Sequence, residues 1–300
     1  MTVHDFRLAC PARHLWRRGA SPAAAPCLRC LPGEARSLGL GLPLAAMGRT
    51  CMGLRGAAPA VETLYHRATR SYFRRVGRFL CPSRLAAELV LRIGAPRSKV
   101  AVAPLPVAPI PLLAAVARRP RELLYAGRLS EEKGVPLLLD AAARLPDVRF
   151  VLAGDGPLAE PLRERARAER LRNVVLRGLL GPDELARALA AATLAVLPSV
   201  GVENSPLWMI EAMSAGRCVL AADQPAIREW VRDGRTGALF ASGDAVDLAR
   251  RAAALLADPA ERERMERAGA ELARRRHDPD RAVDRIEELY AEALARCGSR

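Results

Sequence analysis

The chain of 300 residues is 50% apolar, which excludes an unfolded polyelectrolyte and suggests one or two domains with substantial cores. Its formal charge of +14 is unevenly placed: residues 1–120 hold 19 basic against 4 acidic side chains, and residues 121–300 hold 28 against 29. An excess so confined points to a basic face for an anionic partner, whether a membrane surface, nucleic acid or a phosphorylated substrate, or to arginine-rich composition alone.

In the first part, Cys10, Cys27, Cys30 and Cys51 have the spacing C-x16-C-x2-C-x20-C, open to a four-thiolate zinc site or to buried or free thiols. The seven cysteines are odd in number and no secretory signal with an apolar core opens the chain, so the expected compartment is the cytoplasm. No nucleic-acid reader motif accompanies the basic region, and no nucleic-acid partner is expected. The longest uncharged run, 100–117, has 18 residues but contains Pro104, Pro106, Pro109 and Pro111. Proline at those positions forbids a spanning helix, so the run reads as a strand entering an extended linker, set at 108–120.

Beyond the linker the pattern is regular. "RELLYAGRL", "VRFVLAG", "NVVLRG", "LAVLPS", "CVLAAD" and "TGALF" read as short buried strands. Between them "VPLLLDAAARL", "PLAEPLRERARAERL", "PDELARALAAA", "SPLWMIEAMSAG" and "IREWVRDG" read as helices, and "RAVDRIEELYAEAL" as a terminal helix capped by "DPD". Alternation of this kind means α/β structure with a doubly wound parallel sheet, whose ligands lie at the carboxyl ends of the strands.

Three loops fall at those ends. In "GRLSEEKG", Arg128 and Lys133 are placed to grip one anion, arginine as a planar fork and lysine as a compact point charge. Lys133 is one of two lysines in a chain with 45 arginines, which marks the position as one where the point charge matters. In "VLAGDGPLA", Gly154, Gly156 and Ala159 match the dinucleotide fingerprint formally, but the next strand ends in Arg177 and Gly178 and lacks the acidic residue a nicotinamide cofactor needs. In "GVENSPLWMIEAMSAG", Ser205 is expected as the N-cap, Pro206 as the first helical residue and Gly216 as the stop, so that free amides make an anion site. Glu203 and Glu211, in E-x7-E spacing, suit the hydroxyls of a sugar diol. Glu211 is set among Leu207, Met209, Ile210 and Met213, where an unpaired carboxylate is costly.

With these loops in order, residues 121–297 resemble the donor-binding half of the retaining glycosyltransferases of family 4, which have the two-domain GT-B fold. "GRLSEEKG", "LAGDGPL", "VLRGLL", "LPSVGVENSPLWMIEAMSAGRCVLAAD" and "VRDGRTGALF" carry the resemblance. It implies a metal-independent, hexosyltransferase-like enzyme using a nucleoside diphosphate sugar, in cell-surface glycan or glycolipid synthesis. Arg128 and Lys133 would hold the diphosphate, Glu211 the ribose and Glu203 the transferred sugar. Backbone near Gly154, Gly156, Asn204, Ser205, Pro206 and Leu207 would complete the donor site. The chain departs from many relatives at "DQPAIREW", where they have paired glycines. "VHDFRLACP", "PCLRCLPG" and "LCPSRLAAELVLRIGAPRSKVAV" resemble the later part of the acceptor-binding domain of a bacterial subgroup, so 1–107 is expected to be an incomplete α/β acceptor domain and 121–300 the donor domain with its terminal helix. His4 then matches the active-site histidine beside the donor sugar. A glycan or lipid-linked acceptor at an anionic inner membrane face fits the basic first part. An inactive donor-binding remnant and an NAD(P)-dependent oxidoreductase stand as alternatives.

Overall fold

The structure, a computed structural model, describes residues 76–92, 94–108, 110 and 116–298. They fall into two units, one holding the residues up to Pro104 together with Val283 onward, the other Leu105–Ala282. The boundary between Ala282 and Val283 falls within the terminal helix.

In the first unit, β1 (Phe79–Cys81) and β2 (Val100–Val102) pair in parallel and are joined through α1 (Arg84–Arg92). Phe79, Cys81, Ala86, Ala87, Val90 and Ala95 form one small core; Leu80 and Ala103 form another with Leu289 of the terminal helix α8 (Pro279–Gly298). The Asp278 carboxylate accepts from the Arg281 amide at 3.0 Å, so the acidic "DPD" caps this helix as expected.

The second unit is a six-stranded parallel sheet. Its strands are β3 (Glu122–Ala126), β4 (Arg149–Ala153), β5 (Val174–Gly178), β6 (Leu194–Leu197), β7 (Cys218–Ala222) and β8 (Ala238–Phe240). The helices are α2 (Pro136–Arg144), α3 (Ala159–Ala168), α4 (Pro182–Ala191), α5 (Leu207–Ser214), α6 (Ala245–Ala257) and α7 (Pro259–His277). Because successive strand residues point to opposite faces, each strand feeds two cores. Leu123, Tyr125, Phe150, Leu152, Val196, Leu220 and Phe240 pack on one face with α2 and α6 residues such as Leu138 and Leu248. Leu124, Val151, Ala195, Leu197, Val219 and Leu239 pack on the other with Leu189 of α4 and Met209, Ile210 and Met213 of α5. Strands apolar on both faces are the signature of a covered parallel sheet.

The strand order is β5-β4-β3-β6-β7-β8. From β3 the chain winds outward through β4 and β5, then returns to the other side of β3 and winds outward again. The loops after β3 and β6 therefore lie side by side at the point of reversal, where such sheets bind ligands.

One element expected as a helix is not one. "IREWVRDG" makes a single 3-10 turn, Ile227–Glu229. The groups that would continue a helix are taken by Thr236, whose hydroxyl donates to the Trp230 carbonyl at 2.8 Å and accepts from the Arg232 amide at 2.9 Å. Trp230 and Val231 are thereby buried against the sheet.

Candidate active site

The loop after β3 begins over a buried tyrosine. Tyr125 donates its hydroxyl to the Arg128 carbonyl at 2.7 Å, and burial, reinforced by the Glu203 and Glu132 carboxylates, keeps the phenol protonated by raising its pKa. A turn at Glu131–Lys133 ends in Gly134, whose φ of 66° is left-handed. Neighbouring loops brace this one. The Leu129 amide donates to the Asp155 carbonyl at 2.9 Å, and the Val200 and Gly201 amides donate to the Glu132 carbonyl at 3.1 and 2.7 Å. A Cβ at Gly134 would stand 2.0 Å from the Pro198 carbonyl oxygen. Gly134→Ala combines that overlap with an unfavourable φ, so it should destabilise the domain by about 2 to 4 kcal/mol, read as a lowered denaturation midpoint at unchanged slope.

The brace also explains the second glycine loop. A Cβ at Gly154 would lie 1.9 Å from the Gly127 carbonyl oxygen, and one at Gly156 2.4 Å from that of Leu129. These glycines let the loop after β4 press against the backbone after β3. That contact by itself calls for glycine at both positions.

At the reversal point Lys133 meets Glu203. The Nζ lies 2.7 Å from Glu203 Oε1, with the lysine side chain 33% and the glutamate 10% exposed. The same carboxylate oxygen accepts from the Ser199 hydroxyl. The Glu203 amide donates to Gln224 Oε1 at 3.2 Å, and Gln224 Nε2 donates to the Ser199 carbonyl. Arg128 is exposed and its guanidinium has no ion-pair partner among the described residues.

The following helix starts one residue later than expected. Its first residue is Leu207, and Pro206 stands at the N-cap position with ψ of 95°. Ser205 is not the cap, and its hydroxyl oxygen is buried without a partner among the described residues. Proline fixes only its own φ, and here its extended ψ keeps it outside the helix. Helical geometry leaves the first amides without partners in the helix, and those of Leu207 and Trp208 find none elsewhere among the described residues. Asn204 is buried beside them. The helix stops as expected: Gly216, with φ of 71°, and Arg217 donate back to the Met213 and Ala212 carbonyls, both at 2.9 Å.

Glu211 lies half-buried on this helix with no side-chain partner among the described residues, and burial raises its pKa. The folded protein therefore holds this proton more tightly than the unfolded chain. Stability from the group is complete in acid and is lost as pH rises from the ordinary glutamate range through the raised value. Glu211→Gln removes that loss. The variant should denature later than wild type at about pH 7 and lose its advantage near pH 4. Denaturation at both pH values checks the effect.

His4 and the proposed zinc ligands Cys10, Cys27, Cys30 and Cys51 lie outside the described residues. Ser199 and Gln224 were missed. Their signal was position alone, polar residues immediately beyond the carboxyl ends of β6 and β7.

Residues 120–258 match the family model described as glycosyl transferases group 1. This segment belongs to the group 1 glycosyl transferases. Among curated relatives, a phosphatidyl-myo-inositol mannosyltransferase of Mycobacterium leprae is 35% identical, the match covering 63% of this chain and 51% of that protein. An alpha-D-kanosaminyltransferase of Streptomyces kanamyceticus is 32% identical over 57% of this chain and 45% of its own length. The chain spans about half the length of these curated relatives. Anabaena HepE, solved with UDP and glucose, superposes with a TM-score of 0.68 at 21% identity, covering 77% of this chain and 67% of that one. Sucrose-phosphate synthase of Thermosynechococcus elongatus gives 0.64 at 25% identity, over 72% of this chain and 58% of its own. Such neighbours are GT-B glycosyltransferases, and the doubly wound sheet of residues 105–282 is theirs in fold.

Proposed function

We propose that residues 105–282 bind a nucleoside diphosphate sugar where the strand order reverses, and that the protein transfers the sugar to an acceptor hydroxyl with retention and without a metal ion. The observation that carries this reading is the Lys133–Glu203 pair at the reversal point; Glu211, half-buried on the helix that follows, has no side-chain partner among the described residues. A lysine charge shared with one carboxylate can turn to a diphosphate at short range, and Arg128 adds a second cation. Glu211 offers acceptor oxygens to a ribose diol, and Glu203 does the same for the sugar.

In the reaction, positive charge grows on the sugar ring and negative charge on the leaving diphosphate. Lys133, Arg128 and the first amides of α5 stabilise the leaving group by fixed charge and dipole. Glu203 is held by Lys133 and Ser199, so it serves as an electrostatic and hydrogen-bonding partner of the sugar; attack from the face of the departing diphosphate accounts for retention. His4 lies outside the described residues, and its role is the one the resemblance implies.

The relative named for phosphatidyl-myo-inositol supports a lipid acceptor, and the basic first part supports an anionic membrane surface. Among the described residues no helix is long and apolar enough to cross a membrane. One assay tests retention and metal independence: transfer followed by proton NMR of the product anomer, with and without a chelator. The expected product keeps the donor anomeric configuration at an unchanged rate under chelation. An inverted product, or loss of the rate, overturns the respective part of the proposal.

A further inference from the structure

Gln224 stands just past the end of β7, in the segment that departs from the paired-glycine pattern. It is 6% exposed, and both ends of its amide are used: Nε2 donates to the Ser199 carbonyl and Oε1 accepts from the Glu203 amide. Ser199 in turn donates its hydroxyl to the Glu203 carboxylate. The three residues form a closed ring in which Glu203 is tied by its backbone and by the oxygen that meets Lys133. A flipped amide would set donor against donor and acceptor against acceptor, so the ring fixes the amide orientation.

The base from which Gln224 reaches is itself tethered. The Asp223 amide donates to the Phe240 carbonyl at 2.8 Å, and the Arg228 amide to the Gln224 carbonyl at 2.9 Å. The Arg228 guanidinium grips both Asp223 oxygens, and this hydrogen bonding holds the Asp223 carboxyl below its ordinary range. Among side chains of this length, only glutamine supplies one donor and one acceptor on a planar end. Glutamate loses the donor, methionine loses both, and asparagine falls one methylene short.

We infer that Gln224 is a positioning residue of this site: it holds the Glu203 carboxylate toward Lys133 and the donor sugar while touching neither the nucleotide nor the reacting atoms. The inference rests on the proposed donor site for its functional meaning, but the ring can be tested without any donor. Lys99 and Lys133 are the two lysines of the chain, so lysine-selective carbon-13 labelling yields two side-chain signals, assigned by Lys133→Arg.

Glu203→Gln should move the Lys133 signal. Gln224→Met should move it in the same direction, leave Lys99 in place, and add nothing further in the Glu203→Gln background. Gln224→Asn, which keeps an amide in a shorter side chain, should act likewise and serves if the methionine variant does not fold. With UDP-glucose against UDP and GDP-mannose against GDP as probes, Gln224→Met should leave bare-nucleotide affinity within about threefold. The preference for the sugar-bearing form should fall about tenfold, with kcat reduced more than KM rises. A Lys133 signal moved by Glu203→Gln but untouched by both Gln224 variants overturns the inference, as does a full additive effect in the double variant. A ring that behaves as expected in a protein binding no nucleotide sugar overturns the donor-site reading and leaves Gln224 as the holder of the pair.

Discussion

Replacement of Lys133 by methionine should weaken binding of a nucleoside diphosphate by about 1.5 to 3 kcal/mol, the range for a hydrogen bond to a charged group. The lysine leaves a turn fixed on both sides: Tyr125 secures its start, Gly134 sits against the Pro198 carbonyl, and the Val200 and Gly201 amides hold Glu132. The loss should thus reflect the missing charge more than a displaced loop. Methionine also leaves Glu203 buried with Ser199 as its remaining side-chain donor, so the variant should be less stable than wild type. Arginine should restore part of the affinity, since its wider fork does not reproduce a single ammonium contact on Oε1. Calorimetric titration of the three proteins with UDP and GDP checks the series; equal affinity of wild type and Lys133→Met would remove Lys133 from the diphosphate.

Glu203→Gln should lower turnover by about a hundredfold to a thousandfold, the cost of deleting one preorganised electrostatic partner of a transition state. Bare-nucleotide affinity should stay within a few-fold, because the role proposed for the residue is on the transferred sugar. The neutral amide also frees the Lys133 charge, so any change in nucleotide affinity should be toward tighter binding. Glu211→Gln should show the reverse pattern, weak nucleotide binding from a lost ribose contact. Measured together, the two variants separate the roles: strong loss of UDP or GDP affinity in Glu203→Gln with none in Glu211→Gln would exchange them.

The winding of the second unit was legible because its strands are short apolar runs ending in glycine or polar loops and its helices carry one apolar stripe. The loops that matter were legible from position at the carboxyl ends, and Lys133 from its rarity. Other features depended on the sheet order, which no local pattern contains. Gly154 and Gly156 have the spacing of a phosphate-binding fingerprint, but their packing role shows only with β4 beside β3, where each prevents overlap with a carbonyl of residues 127–129. The 3-10 turn at Ile227–Glu229 has apolar spacing fit for a helix, but Thr236 captures its backbone from six residues beyond Trp230. Gln224 reads as an ordinary polar loop residue until β6 and β7 bring Ser199 and Glu203 to its amide.

The central claim is that the Lys133–Glu203 pair marks a nucleotide-sugar site. Calorimetric titration of the full chain with UDP-glucose and GDP-mannose, alongside NADH and NADPH, tests it most directly. The account predicts saturable binding of at least one nucleotide sugar, weakened in Lys133→Met, with no comparable binding of either nicotinamide nucleotide. Binding of NADH or NADPH in preference to both sugars, or nucleotide-sugar binding that ignores Lys133→Met, would contradict it.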